Sequence, residues 1–280
     1  MKLIKSINLM QRVIKDLKKQ YTIGFVPTMG FLHEGHISLI KSARKETEKV
    51  IVSIFINPIQ FNDKKDFNKY PKNIQKDIKI LEQENVDYVF LPQSTKIYPQ
   101  NFCTYINIEN LFSKLCGKSR QGHFQGVATI VLKLFNIIHP NIAYFGQKDA
   151  QQTIIIKKMV KDLNVDVKIK ILSTIRENSG LALSSRNTHL SNLEKQQALC
   201  LYQSLKKAKD LMKKGIRKSN IIKDEMQKII SQFKNAKIDY IAIVNSQNLE
   251  DVDFVQNKDL IALAVKIGNT RLIDNIICNF

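Results

Sequence analysis

Cysteine, arginine and long apolar runs are all scarce in this sequence, and each scarcity removes a class of function. Four cysteines occur in 280 residues: Cys103, Cys116, Cys200 and Cys278. They lie far apart and form no C-x-x-C pair, which argues against a disulfide framework or a zinc knuckle. Reduced, structural thiols are expected. No apolar run approaches the ~18 residues that a membrane span needs. The stretch MKLIKSINLMQRVIKDLKKQ sets lysine among apolar residues at helical spacing and lacks the apolar block of a secretory signal. No membrane and a cytoplasmic location are therefore expected. Basic residues outnumber acidic ones 44 to 25, a net charge of +19 that first suggests nucleic acid. Only seven of the 44 are arginine, however, and no arginine-rich stripe or basic-aromatic array occurs. Nucleic-acid readers favour arginine for its bidentate fork. The excess is read as a solvated lysine surface that favours anionic substrates, with no nucleic-acid partner.

Hydrophobic content of 44% and charged content of 25% are ordinary for a globular chain of one or two domains. No repeat or low-complexity block is visible. Up to about residue 175, apolar runs alternate with amphipathic stretches: TIGFVP, KVIVSIFINP, VDYVFLP, NIAYFG and VDVKIKILS read as strands, with helical patterns between them. Strands that are apolar throughout and separated by helices predict a parallel sheet covered on both faces. The expectation is an α/β, Rossmann-like doubly wound domain over 1–175. A smaller α+β domain over 176–280 is expected to close over the site. Its first long helix should open at Ser191–Glu194, an S-x-x-E capping box.

Histidine is scarce too, with five in all, yet two stand three apart in GFVPTMGFLHEGH. In an open parallel sheet, ligands bind at the carboxyl ends of strands, beside the first turn of the next helix. GFVPTMG is a strand reaching that edge, and Gly30 and Gly35 allow close backbone approach. His33 and His36 lie at the entry to the following helix, where N–H groups and the macrodipole favour anions. Two imidazoles there can donate to phosphate oxygens. The alternatives are a pair of ordinary surface histidines or a zinc pair, the latter without a third ligand at standard spacing. A P-loop is rejected. CGKS at Cys116–Ser119 imitates its end, but the required glycine is Phe112 and the preceding IENLFSKL reads as helix.

VPTMGFLHEGH resembles the signature of the pantoate–β-alanine ligase (pantothenate synthetase) family, within the nucleotidyltransferases that carry an H-x-G-H element. Further blocks similar to that family follow in its order: VSIFINPIQF, DFNKYP, RQGHFQGVATIVLKLFNIIHP, AYFGQKDAQQ and RENSGLALSSRN, with NTRLIDN near the end. The resemblance covers nearly the whole chain. It implies ATP-dependent, AMP-forming condensation of pantoate with β-alanine through a pantoyl adenylate, with magnesium accompanying ATP and a homodimeric assembly.

By the same resemblance, Met29, Gly30, Phe31, Leu32, His33, Glu34, Gly35 and His36 are ATP-binding, with His36 at the position usually described as a proton donor. Gly146, Gln147, Lys148 and Asp149 match a nucleotide-binding turn. Leu183, Ser184, Ser185 and Arg186 match a phosphate clamp, and Ile175 a backbone contact to adenosine. The catalytic set is His33, His36, Lys148, Ser184, Ser185 and Arg186. Gln60 and Gln152 match the contacts to pantoate, and Gln60 later to β-alanine. Asp77 is the carboxylate placed nearest the magnesium. Four departures stand out: Gln121 for proline, Gln125 for arginine, Gln147 for glutamate, and ENSG, with Ser179, for a K-D-G-like turn. None touches the histidines, Gln60, Lys148, Gln152 or the Ser-Ser-Arg clamp, so activity is expected to survive. A plain nucleotidyltransferase, needing no second acceptor, and a nucleic-acid-binding module are the competing readings.

Overall fold

The structure is a computed structural model that describes residues 1–62 and 64–280, with the side chains of 64 and 65 left aside. The chain forms two compact units. Unit 1 comprises Met1–Phe112, Gly117–Gly146 and Ile155–Ser173, and unit 2 comprises Ser113–Cys116, Gln147–Ile154 and Thr174–Phe280.

In chain order the first elements are β1 (Lys2–Ile4), α1 (Ile7–Leu17), β2 (Ile23–Thr28), α2 (Glu34–Glu46) and β3 (Lys49–Ile54). After α3 (Lys64–Lys69) and α4 (Ile74–Gln83) come β4 (Tyr88–Phe90), α5 (Ser94–Ile97), α6 (Cys116–Ser119) and α7 (His123–Ile138). Then follow β5 (Ile142–Gly146), α8 (Ala150–Asp162) and β6 (Lys168–Leu172). The six strands form one sheet in the order β1-β4-β3-β2-β5-β6, and every pairing is parallel. The apolar runs predict this arrangement. Phe25, Val26, Val50, Ile51, Val52, Val89 and Phe90 have lost their solvent exposure entirely, as strands covered on both faces must.

The order reverses between β2 and β5, the topological switch point of a doubly wound sheet. These two strands pair only at Gly24↔Ile142 and Phe25↔Ala143, and Pro27 follows with no N–H to offer a ladder. They part before their carboxyl ends, which places the mouth of the crevice at Thr28 and Gly146.

Unit 2 contains α9 (Asn192–Lys213), α10 (Ser219–Ser231) and an antiparallel sheet of β7 (Ala236–Val244), β8 (Leu260–Ile267) and β9 (Thr270–Ile277). Both helices pack on the sheet around Leu201, Leu205, Ile222, Met226, Ile243 and Leu263. The capping box opens α9 where the S-x-x-E spacing predicts it: Ser191 Oγ accepts from Glu194 N, and Glu194 Oε2 from Ser191 N at 2.9 Å. The single run LIALAVKIGNTRLIDNIIC folds as the hairpin β8–β9, turning at Gly268–Asn269.

One expected helix is absent. IENLFSKL forms successive turns, with Asn110 and Leu115 in left-handed backbone conformations (φ 64° and 44°) that an α-helix cannot absorb. The glycine of CGKS has a structural reason instead: a Cβ at Gly117 would collide with the Phe112 carbonyl oxygen. Among the described residues, no helix is long and apolar enough to cross a membrane.

Candidate active site

The histidine turn is built at the carboxyl end of β2. Thr28 Oγ1 donates to Ser53 O on β3 (2.8 Å) and accepts from Gly30 N (3.2 Å). The chain then reverses through two left-handed residues, Gly30 (φ 81°) and Phe31 (φ 54°). A left-handed phenylalanine is costly unless its surroundings impose it. Asp77 of α4 does so. It is 2% exposed, and its two oxygens accept from Phe31 N and Leu32 N, each at 2.8 Å. A Cβ at Gly30 would stand 3.0 Å from Asp77 Oδ2.

Next comes α2, with His33 as its N-cap. His33 Nδ1 accepts from Gly35 N (3.1 Å), and His36 Nδ1 accepts from His33 N (3.3 Å). This is a capping box made of imidazoles. Each Nδ1 receives an N–H, so in the neutral ring the proton sits on Nε2, and Nε2–H is the group with which each ring donates. The ring centroids are 4.1 Å apart with a 42° tilt. Gly35 is required here because a Cβ would meet His33 Cε1 at 2.9 Å. The motif H-x-G-H is thus one local device: a cap, a reciprocal cap, and the space between for a ring.

Asp77, expected beside magnesium, has both carboxylate oxygens bonded to the 30–32 turn. Among the described residues no group of three His, Cys, Asp or Glu side chains could hold a metal. A magnesium held mainly by nucleotide phosphates and water needs no such cluster.

Gln60 lies in the short 3-10 turn Pro58–Gln60 after β3 and is buried. Its Oε1 accepts from Asn57 Nδ2 (3.0 Å) and its Nε2 donates to Met29 Sδ (3.0 Å). Asn57 also donates to Gly126 O (3.0 Å) and accepts from Tyr98 OH (2.7 Å). The hydroxyl fixes the Asn57 amide, and Asn57 fixes that of Gln60, so the NH2 end of Gln60 is turned to Met29. Burial pushes the Tyr98 hydroxyl up from its ordinary value, which keeps it a donor. His123 Nδ1 donates to Gln60 O (2.6 Å), its tautomer set by Arg120 Nη1 at 3.0 Å from Nε2. Helix α7 approaches this turn closely at Gly126, where a Cβ would lie 2.6 Å from Ile59 O.

In unit 2, Lys148 and Asp149 sit in the 3-10 turn Gln147–Asp149 that continues from Gly146, with Lys148 Nζ 3.6 Å from Asp149 Oδ1. Gln152 stands in the first turn of α8, half-buried. The segment 175–183 doubles back on itself: Arg176 bridges Ala182, and Leu183 N donates to Ile175 O (3.0 Å). The Ile175 carbonyl is thereby engaged. Beyond it, Ser184 caps the turn Ser185–His189, its Oγ accepting from Arg186 N (3.3 Å), while Ser185 is buried.

Within unit 1 the structure brings His33 together with His36, and Gln60 with Met29. Within unit 2 it gathers Lys148 with Asp149, and Ser184 to Arg186 in a single capped turn. Sequence reasoning assigns no role to Asn57, Tyr98, Arg120 or His123. Three of these lie inside blocks that carry the resemblance, whereas Tyr98 has no signal.

A family model described as pantoate-beta-alanine ligase matches residues 2–277. The chain is 51% identical over 278 residues to the pantothenate synthetase of Caldicellulosiruptor saccharolyticus and 49% identical over 277 residues to that of Pseudothermotoga lettingae, with 99% of each chain covered. Among solved structures, pantothenate synthetase from Thermus thermophilus superposes with a TM-score of 0.95 at 34% identity over 100% of both chains. Pantoate-beta-alanine ligase from Francisella tularensis, complexed with beta-gamma ATP and beta-alanine, gives 0.83 at 40% identity, covering 99% of this chain and 97% of the other.

Proposed function

The chain belongs to the pantoate–β-alanine ligase family, and we propose that it joins pantoate to β-alanine through a pantoyl adenylate, releasing pyrophosphate and AMP. One observation carries this reading: an imidazole capping box stands at the N-terminus of α2, at the switch point of a parallel sheet. That is where a triphosphate finds N–H donors and the positive end of a helix dipole.

In the first step a pantoate carboxylate oxygen forms a bond to the α-phosphorus, and the bond to the β-phosphate bridging oxygen breaks. Pyrophosphate leaves with that oxygen. In the second step the neutral amine of β-alanine attacks the acyl carbon, the acyl–phosphate C–O bond breaks, and AMP departs as the amine sheds a proton. Neither step needs a protein nucleophile. The rate must come from placing the reactants and from donors aimed at charge that develops on phosphorus-bound oxygens.

His33 and His36 supply such donors through Nε2. Gln60 presents NH2 to the pantoate carboxylate or hydroxyl and leaves the nucleophile outside any ion pair, with Gln152 as a second amide contact. Lys148 offsets phosphate charge. Ser184, Ser185 and Arg186 grip the triphosphate through two hydroxyls and a planar fork, and Asp149 and the Ile175 backbone address the nucleoside. The remainder of Met29–His36, with Gly146, Gln147 and Leu183, lines the nucleotide. Magnesium, on this reading, accompanies the nucleotide rather than residing in the protein. A homodimer in the cytoplasm completes the assignment, and sedimentation of the purified chain tests the dimer.

The decisive experiment incubates the chain with ATP, magnesium and pantoate, with and without β-alanine. Pyrophosphate should form with pantoate alone, whereas free AMP and pantothenate should require β-alanine. AMP release that ignores β-alanine defeats the reading.

A further inference from the structure

The block NTRLIDN ends on β9 in two adjacent buried polar residues, Asp274 and Asn275, each 3% exposed. Neither belongs to the residues assigned to ATP, and buried polar groups persist only where partners satisfy them. Asn275 Nδ2 donates to the carbonyls of Gln147 (3.0 Å) and Lys148 (2.9 Å), and its Oδ1 accepts from Gln147 Nε2 (3.3 Å). Every polar atom of that amide is spent on the turn that carries Lys148.

Asp274 makes a fork-to-fork pair with Arg176, at 2.6 Å and 2.9 Å. Its Oδ1 also accepts from Asn275 N (2.8 Å), so the two side chains are tied to each other through the backbone. Arg176 stands at the root of the 175–183 double-back, and its Nη1 also donates to Gly180 O (3.1 Å) at the tip. The same guanidinium lies 5.0 Å from the centroid of the Tyr202 ring. A side chain at Gly180 (φ 97°) would run into that ring. Ser184–Arg186 follows directly from the segment so anchored.

We infer that Asp274 and Asn275 are positioning residues for ATP: one rigid step of β9 sets the Lys148 turn and the root of the Ser184–Arg186 loop in a common register. The inference rests on the nucleotide-binding roles proposed above for those two segments. Strand β9 is hydrogen-bonded to β8 along its whole length, so it is a stiffer reference than either loop. A charge-assisted bidentate pair adds geometric specificity to that reference.

The test uses the purified chain with Asn275→Ala, Asp274→Asn and the double variant. Three quantities are read: the Kd of adenosine 5′-(β,γ-methylene)triphosphate by calorimetry, the KM values for ATP and pantoate, and Tm. Each single variant should weaken analogue binding and raise the ATP KM about tenfold, leaving the pantoate KM in place. Because both act through one strand, the double variant should fall well short of the hundredfold that independent effects would give.

Unchanged analogue Kd with only a lowered Tm overturns the inference, as does full multiplication of the two effects. If Asp274→Asn fails to fold, Arg176→Lys, which keeps the cation but loses the fork, carries the same expectation. Wild-type chain that makes pantothenate alongside variants with normal analogue binding sinks this inference alone. Wild-type chain that makes none sinks the functional reading.

Discussion

His33 performs two tasks that substitution can separate. Its Nδ1 caps α2 by accepting from Gly35 N at 3.1 Å, and its Nε2 is the donor assigned to phosphate. A cap of this kind is worth ~1 kcal/mol when replaced by alanine, and asparagine is among the best replacements. A donor aimed at developing charge is worth roughly 2.7–4 kcal/mol, a factor of 10² to 10³ in rate. Asparagine reproduces the Nδ1 acceptor but ends short of the Nε2 position. His33→Asn should therefore slow pyrophosphate release in single-turnover mixing with ATP and pantoate by on the order of 10² to 10³. Its Tm should stay within ~2 °C of wild type. His33→Ala should show the same rate loss together with a Tm lower by roughly 2–4 °C. His33→Gln, whose amide nitrogen reaches toward the Nε2 position, should recover part of the rate. An Asn variant within threefold of the wild-type rate would refute the donor role, and equal Tm losses for Asn and Ala would refute the cap.

Further predictions test the scaffold of the site. Tyr98→Phe removes the 2.7 Å donor that fixes Asn57 and so frees the Gln60 amide to rotate. The pantoate KM should rise several-fold, by on the order of 1 kcal/mol, with the ATP KM unchanged in steady-state assays. Asp77→Asn puts an NH2 against a backbone N–H that the carboxylate now satisfies. Stability in urea should fall by about 1–3 kcal/mol, with the magnesium dependence of the rate at saturating ATP unaltered; a shifted magnesium midpoint would restore Asp77 as a ligand. Burial pushes the thiols of Cys200 and Cys278 up to about 12, while Cys103 is exposed. At pH 8 a thiol reagent should modify Cys103 alone in the native chain and all four cysteines in urea. Because the two buried thiols have folded pKa values above the unfolded ~8.5, their contribution to stability is complete below that pH and fades as pH climbs toward 12, so the urea midpoint should decline across that window.

Much of this molecule is decided locally. The apolar strands and intervening helical patterns dictate a covered parallel sheet, because a strand buried on both faces has no polar face to show. The capping box at Ser191 and Glu194 and the imidazole box at His33 and His36 close within four residues, so spacing alone encodes them. Where a segment's conformation depends on distant backbone, local pattern misleads. IENLFSKL has helical spacing, yet left-handed turns at Asn110 and Leu115 take it elsewhere, and the glycine of CGKS answers to the Phe112 carbonyl rather than to phosphate. The supports of the site are of the same long-range kind. Asp77 reaches back 46 residues to Phe31 and Tyr98 reaches 41 to Asn57. Asn275 reaches 127 to Lys148. A carboxylate, a phenol or an amide carries no mark of its partner in the sequence; only the folded chain brings a buried polar atom against the one group that satisfies it.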